Sequence, residues 1–188
     1  MADRLNRIYT RSGDQGLTGL ADGQRVPKDC PRIELLGALD ELNARMGLLV
    51  SDLDDAELSA CLIEIQQILF DLGGDLSIPG RNSLSKEQSI WLENWIDHYN
   101  RSLPPLREFV LPGGSPEAGR AHLVRTACRT AERRAVHLLQ EESMAPEALQ
   151  FLNRLSDYLF VVCRLISRRT GQEPQWQPSR PAPPRPAD

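Results

Sequence analysis

Arg125-Thr126-Ala127-Cys128-Arg129-Thr130-Ala131-Glu132-Arg133 sits in the middle of a long helical pattern. At about 100° per residue, Arg125, Arg129, Glu132 and Arg133 fall on one side of a helix, and Val124, Ala127, Ala131 and Leu138 on the other. Three guanidiniums and a carboxylate therefore share one face. Such a face suits polyphosphate, because arginine presents a planar fork of N–H donors and keeps its charge. Taken alone, the run reads first as a solvated face held by i,i+3 and i,i+4 ion pairs.

The flanking sequence repeats the helical period. Downstream, a helix from about Pro146 to Arg169 places Leu152, Leu155, Leu159, Val162 and Ile166 on one face, with Asn153, Asp157, Phe160 and Arg164 in an arc opposite. Pairing of Asp157 with Arg154 or Arg164 is the simple account of that arc. Upstream, the Arg-bearing helix starts near Ser115, after the breaker Pro112-Gly113-Gly114, and runs to Leu139. Leu35, Leu36, Leu39, Leu42, Met46, Leu49 and Val50 define a helix from Arg32 to about Ser51. Asp54 and Asp55 cap another, which Gly73-Gly74 is expected to end. Ser85 opens a third, with Ile90, Trp91, Trp95, Ile96 and Tyr99 as its expected core stripe, before Pro104-Pro105. Five amphipathic helices with short connections and almost no strand pattern predict an all-α, up-and-down five-helix bundle.

With 188 residues, 40% hydrophobic and 26% charged, the chain is expected to form one soluble domain. A net charge of −4 gives no global attraction to nucleic acid or to an anionic membrane, so any anion site is local. No apolar run reaches the ~20 residues of a membrane span, and the first residues lack an apolar signal core, which together point to the cytoplasm. Cys30, Cys61, Cys128 and Cys163 are widely spaced, as expected of reduced core thiols. His98, His122 and His137 are isolated and no Glu-x-x-His occurs, which disfavours a di-iron carboxylate bundle.

From Ile8 to Lys28 the chain is rich in glycine and hydroxyls and has no helical period, predicting an irregular loop or two extended pieces. Glycine permits close backbone approach, so the loop can aim N–H groups at phosphate oxygens, with Thr10, Ser12 and Thr18 adding hydroxyls and Arg11 and Lys28 adding charge. The Walker spacing is absent. A Gly-rich turn alone is commonly only a turn. After Gly171 the proline-rich end, 173–188, is expected to be disordered or PPII-like, at most with Trp176 docked.

Taken together and in order, several segments resemble the PduO-type ATP:cob(I)alamin adenosyltransferases. They are Tyr9-Thr10-Arg11-Ser12-Gly13-Asp14-Gln15-Gly16 with Thr18; Arg25 and Lys28; Gly37-Ala38-Leu39-Asp40-Glu41-Leu42-Asn43; Phe109-Val110-Leu111-Pro112-Gly113-Gly114; the Arg125 stretch; and Phe151 to Phe160. The resemblance covers nearly the whole chain except its proline-rich end. It implies a bundle domain over 1–172, with 1–31 as an ATP-binding loop, assembled as a homotrimer with intersubunit active sites. The implied substrates are ATP with Mg²⁺, the metal carried mainly by the phosphates, and cobalamin. The implied reaction is attack of Co(I) on the 5′ carbon of ATP, giving adenosylcobalamin and triphosphate. A reductase and an adenosylcobalamin-dependent enzyme are further expected partners.

The resemblance also implies roles. Thr10, Arg11, Ser12, Gly13, Asp14, Gly16, Thr18 and Lys28 wrap the triphosphate. Arg129 is directed at the phosphates, and Glu132, Arg133 and Asn153 make further nucleotide contacts. Arg125 forms a salt bridge with Asp40 of a neighbouring subunit. Phe109 occupies the lower corrin face, with Asp157 and Phe160 also corrinoid-binding. The chain departs from the family pattern at Thr130, where a second arginine is common; at Ser12, where threonine is usual; and at Gly119, which is expected to disturb the start of its helix. A catalytically silent carrier or sensor of ATP or adenosylcobalamin is the alternative that Thr130 leaves open.

Overall fold

The structure, a computed structural model, describes residues 9–78, 80–171 and 173–180. A two-stranded antiparallel hairpin, β1 (Leu17–Gly19) and β2 (Arg25–Pro27), precedes five helices: α1 (Pro31–Val50), α2 (Ala56–Ser77), α3 (Lys86–Asn100), α4 (Pro116–Leu138) and α5 (Pro146–Arg169). The hairpin is one of the two forms expected of the glycine-rich segment. Ile8 and 181–188 lie outside the described residues.

Local chemistry accounts for the helix starts. Pro31, Pro116 and Pro146 stand in the first turns of α1, α4 and α5, where a missing N–H costs nothing. Asp55 accepts from Leu58 N–H at 2.9 Å, and Ser115 from Ala118 N–H at 3.2 Å. Ser85 and Gln88 form a reciprocal capping box on α3.

The helices pack in the order α2, α1, α4, α5, α3, so α4 lies between α1 and α5. Its inner side carries Ala121, Ala127, Ala131 and Ala135, all buried, with Val124 and Leu138. Short side chains let the two flanking helices approach closely. Cys128 Sγ donates to Leu152 O at 3.3 Å, joining α4 to α5. Asn43 and Gln66 exchange side chain-to-backbone hydrogen bonds at 3.2 and 3.1 Å across α1 and α2, so Asn43 is buried because its amide is paired.

Three expectations change, and a fourth is made specific. Helix α2 runs through Gly73-Gly74 to Ser77. A Cβ on Gly74 would stand 1.8 Å from Arg81 Nη1, and that guanidinium pairs with Asp71 at 2.7 Å and Asp75 at 3.4 Å. The glycine thus serves close approach, not termination. Ile90 is 46% exposed; the buried residues of α3 are Ser89, Leu92 and Tyr99, with Trp91, Trp95 and Ile96 half-buried. Gly119 is helical, its N–H donating to Ser115 O at 2.9 Å, because the Ser115 and Pro116 start carries that turn. The start of the proline-rich end is docked: Val110 bridges Gln175, and Trp176 N–H donates to Phe109 O at 2.8 Å.

Candidate functional site

The hairpin shapes the N-terminal loop. Arg25 donates from Nη2 to Ser12 O and, at 3.3 Å, to Leu17 O, which folds residues 12–17 back on β2. Thr10 and Ser12 hydroxyls are 2.7 Å apart. Arg11 takes φ 59° with its guanidinium 5.6 Å from the Tyr9 ring centroid, and Gly16 takes φ 81°. Lys28 N–H donates to Gly16 O at 2.9 Å. A Cβ on Gly13 would stand 3.0 Å from Lys28 Nζ, so glycine there leaves room for the ammonium. Among the described residues Lys28 forms no ion pair.

Beside this loop opens a cleft of about 730 Å³, lined by Thr18, Lys28, Asp40, Glu41, Thr130 and Arg134, among others. Arg134 is held by Glu34 at 3.1 Å. Thr130 accepts from Arg133 Nη2 at 3.0 Å and donates to Thr126 O at 3.2 Å, so its hydroxyl is engaged within α4. A smaller groove beside Asp40 is lined by Leu36, Leu39, Asn43 and Phe70, and Phe70 is 70% exposed.

A second cleft, of about 500 Å³, is lined by Leu106, Arg107, Glu108, Phe109, Val110, His122, Arg125 and Phe160. Its lining is largely apolar, with Arg125 half-buried in its wall. Phe109 is 79% exposed and meets Trp176 edge-on at 6.4 Å. Arg125 Nε and both ring nitrogens of His122 are buried without a hydrogen-bond partner in the described residues. Burial lowers the His122 pKa below its ordinary value, and the Arg125 charge adds to this, both disfavouring the protonated imidazole. Burial pushes the Cys163 thiol up to about 12 despite the Arg125 charge, which removes it as a nucleophile. Cys61 and Cys128 are also raised by burial, and all four cysteines are unbridged.

The remaining expected residues lie on the outward face of α4 and α5. Asn153 Nδ2 donates to Glu132 Oε1 at 2.8 Å. Arg129 is 52% exposed, and its nearest carboxylate among the described residues, Glu132, is 4.0 Å away. Asp157 is turned to Arg154 at 2.9 Å and lines a groove with Glu93, Ile96 and Asp97, outside the Phe109 cleft.

The structure thus brings Phe109, Phe160 and Arg125 together, and separately Thr18, Lys28 and Asp40. Arg125 and Asp40 line different clefts and form no ion pair within the chain. Sequence reading missed His122. Its signal was the i,i+3 spacing to Arg125, which puts both on one side of α4.

Comparison with known proteins is consistent across three kinds of match. Residues 8–166 match the family model described as cobalamin adenosyltransferase. A Cupriavidus metallidurans protein named cobalamin adenosyltransferase is 50% identical over 182 residues, covering 96% of this chain and 99% of its own. The corrinoid adenosyltransferase of Bacillus subtilis is 43% identical over 172 residues, covering 88% and 89% respectively. Among solved structures, a variant of the PduO-type ATP:corrinoid adenosyltransferase from Lactobacillus reuteri, complexed with cobalamin and ATP, matches with a TM-score of 0.86. That match is at 38% identity, over 92% of this chain and 97% of the other.

Proposed function

The chain belongs to the cobalamin adenosyltransferase family, and on that premise we infer that it transfers the 5′-deoxyadenosyl group of ATP to the cobalt of cob(I)alamin. The observation that carries this reading is the end-to-end match to adenosyltransferases, a solved complex with both substrates among them. Co(I) supplies the electron pair for the new Co–C bond, the C5′–O bond breaks, and triphosphate leaves with its charge. No proton has to move, so no catalytic His or Cys is needed. Stabilisation of the leaving charge is the main task left to the protein.

Arg129 is suited to that task, being half-exposed and held by no carboxylate of the described residues closer than 4.0 Å. Arg133 adds charge one turn on, and Asn153 holds Glu132 for nucleotide contact. Lys28 and residues 10–18 supply the other part of the triphosphate site. Mg²⁺ enters as the counter-ion of ATP, carried mainly by its phosphates. Phe109 and Phe160 offer an apolar floor to the corrin. Replacing an axial donor by an aromatic ring makes Co(II) easier to reduce, because a donor stabilises the more oxidised metal. The assignment of Asp157 to corrinoid rests on the family resemblance, since its carboxylate is engaged by Arg154.

The site is completed between copies of the chain, in a homotrimer. Asp40 and Arg125 line separate clefts of one chain, and Arg129 is not in the lining of the cleft that Lys28 shares with Asp40. Pairing Asp40 with Arg125 of a neighbour would satisfy both and cover the exposed Phe70 ring beside Asp40. No helix among the described residues is long and apolar enough to cross a membrane; with reduced cysteines and a Co(I) substrate, the cytoplasm is the fitting compartment, where a reductase supplies the electron and an adenosylcobalamin-dependent enzyme takes the product.

The test is an anaerobic assay with ATP, Mg²⁺ and chemically reduced cobalamin, following the visible spectrum as the Co–C bond forms. Adenosylcobalamin with released triphosphate is the expected result. Binding of ATP or adenosylcobalamin without turnover would make the protein a carrier or sensor, and binding of neither would sink both readings.

A further inference from the structure

The 4% exposed side chain of Arg164 donates from Nε to Glu173 at 2.8 Å, and Glu173 is equally enclosed. Two buried charges of this kind are retained only with close partners, because each alone would be strongly destabilising. The pair is well supplied: Arg164 Nη2 also donates to Pro104 O at 2.8 Å, and Arg168 reaches the second Glu173 oxygen at 3.4 Å. One arginine of α5 therefore fastens two distant pieces of chain, the start of the α3–α4 connection and the segment after α5.

Those two pieces then pair with each other around Phe109. Leu111 N–H donates to Pro174 O at 2.8 Å, Trp176 N–H donates to Phe109 O at 2.8 Å, and Val110 bridges Gln175 between them. The result is a short antiparallel ribbon with Phe109 on its exposed side. A 79% exposed aromatic on an irregular connection would ordinarily be free to wander. Here its backbone is tied on both sides, and the ties lead back to a buried ion pair.

We propose that Glu173 and Arg164 are positioning residues for the corrinoid side of the site: their ion pair seats the segment 173–176, and that segment holds the backbone of Phe109 in place under the corrin. The inference rests on the adenosyltransferase reading for its meaning, but the latch itself is a property of the protein without substrate. Small displacements of a positioning group carry large kinetic penalties, of order 100-fold for about 1 Å. Releasing the latch should thus act on corrinoid use and leave the nucleotide side, on the outward face of α4 and in the N-terminal loop, unaffected.

The experiment compares full-length wild type, Glu173→Ala and Glu173→Gln by amide hydrogen exchange and by steady-state kinetics with ATP and reduced cobalamin. Glu173→Ala should reduce protection at Leu111 and Trp176 by roughly tenfold or more while leaving α4 protected. It should raise the corrinoid KM or lower turnover by a similar factor, with the ATP KM unchanged. Glu173→Gln keeps an acceptor for Arg164 and should fall between. Unchanged protection at both amides would overturn the latch, and equal effects on ATP and corrinoid would overturn its positioning role. A wild type that makes no adenosylcobalamin would remove the catalytic meaning, with the exchange data still reporting whether the latch exists.

Discussion

Arg129→Ala should separate catalysis from folding. The guanidinium is 52% exposed, and its one ion pair among the described residues, to Glu132, is 4.0 Å long. An exposed pair of that kind contributes about 0–1 kcal/mol, so the melting temperature should move by no more than about 2–4 °C. Against a leaving triphosphate the same group acts where charge develops, and losing one such donor costs about 2.7–4 kcal/mol, or about 10²–10³ in kcat. Arg129→Lys retains the charge but not the planar fork and should lie between wild type and Ala. The assay is the initial rate of Co–C bond formation under anaerobic conditions, with triphosphate release and thermal melting measured on the same preparations. Turnover within about threefold of wild type would be too small for a lost oxyanion-type donor and would refute the phosphate role. A melting temperature that collapses in parallel with the rate would instead make Arg129 a structural residue.

Phe109→Ala should impair use of cob(II)alamin more than ATP binding, since the ring is exposed on the connection between α3 and α4 and lines a different cleft from Lys28; equal effects on both substrates would count against a lower-face role. Asp40→Ala should lower activity and shift the sedimentation profile away from a trimer, whereas full activity and an intact trimer would show that the intersubunit bridge is unimportant. His122 predicts a pH effect on stability. Its folded pKa lies below the ordinary 6.5, so as pH falls the unfolded chain binds the proton first. Stability should be full above about pH 6.5 and decline below it, by at most about 1.4 kcal/mol per pH unit for one proton. Urea midpoints from about pH 7.5 to about 5.5 measure the slope, and His122→Gln should flatten it; an unchanged slope would assign the effect to another group.

Much of the bundle could be read without coordinates. The limits of α5, from Pro146 to Arg169, coincide with expectation, and so do the starts at Asp55, Ser85 and Ser115. Those features depend on residues within one turn of each other: a proline that fits the first turn, a side-chain oxygen that meets an N–H, an apolar stripe at the helical period. The cationic face of α4 was legible for the same reason. Features that depended on distant partners were not. Gly73-Gly74 looks like a helix end until Arg81 is seen lying where a Cβ would be. Arg164 looks like a surface residue until Glu173 and Pro104 enclose it. His122 looks isolated until the Phe109 connection closes over it. The sequence by itself determined where helices begin, which faces are apolar and which residue types are present for polyphosphate chemistry, because those follow from local geometry. Only the tertiary structure decided which of those residues share a cleft and which side chains are sealed in, because a contact between residues far apart in the chain depends on how whole helices pack.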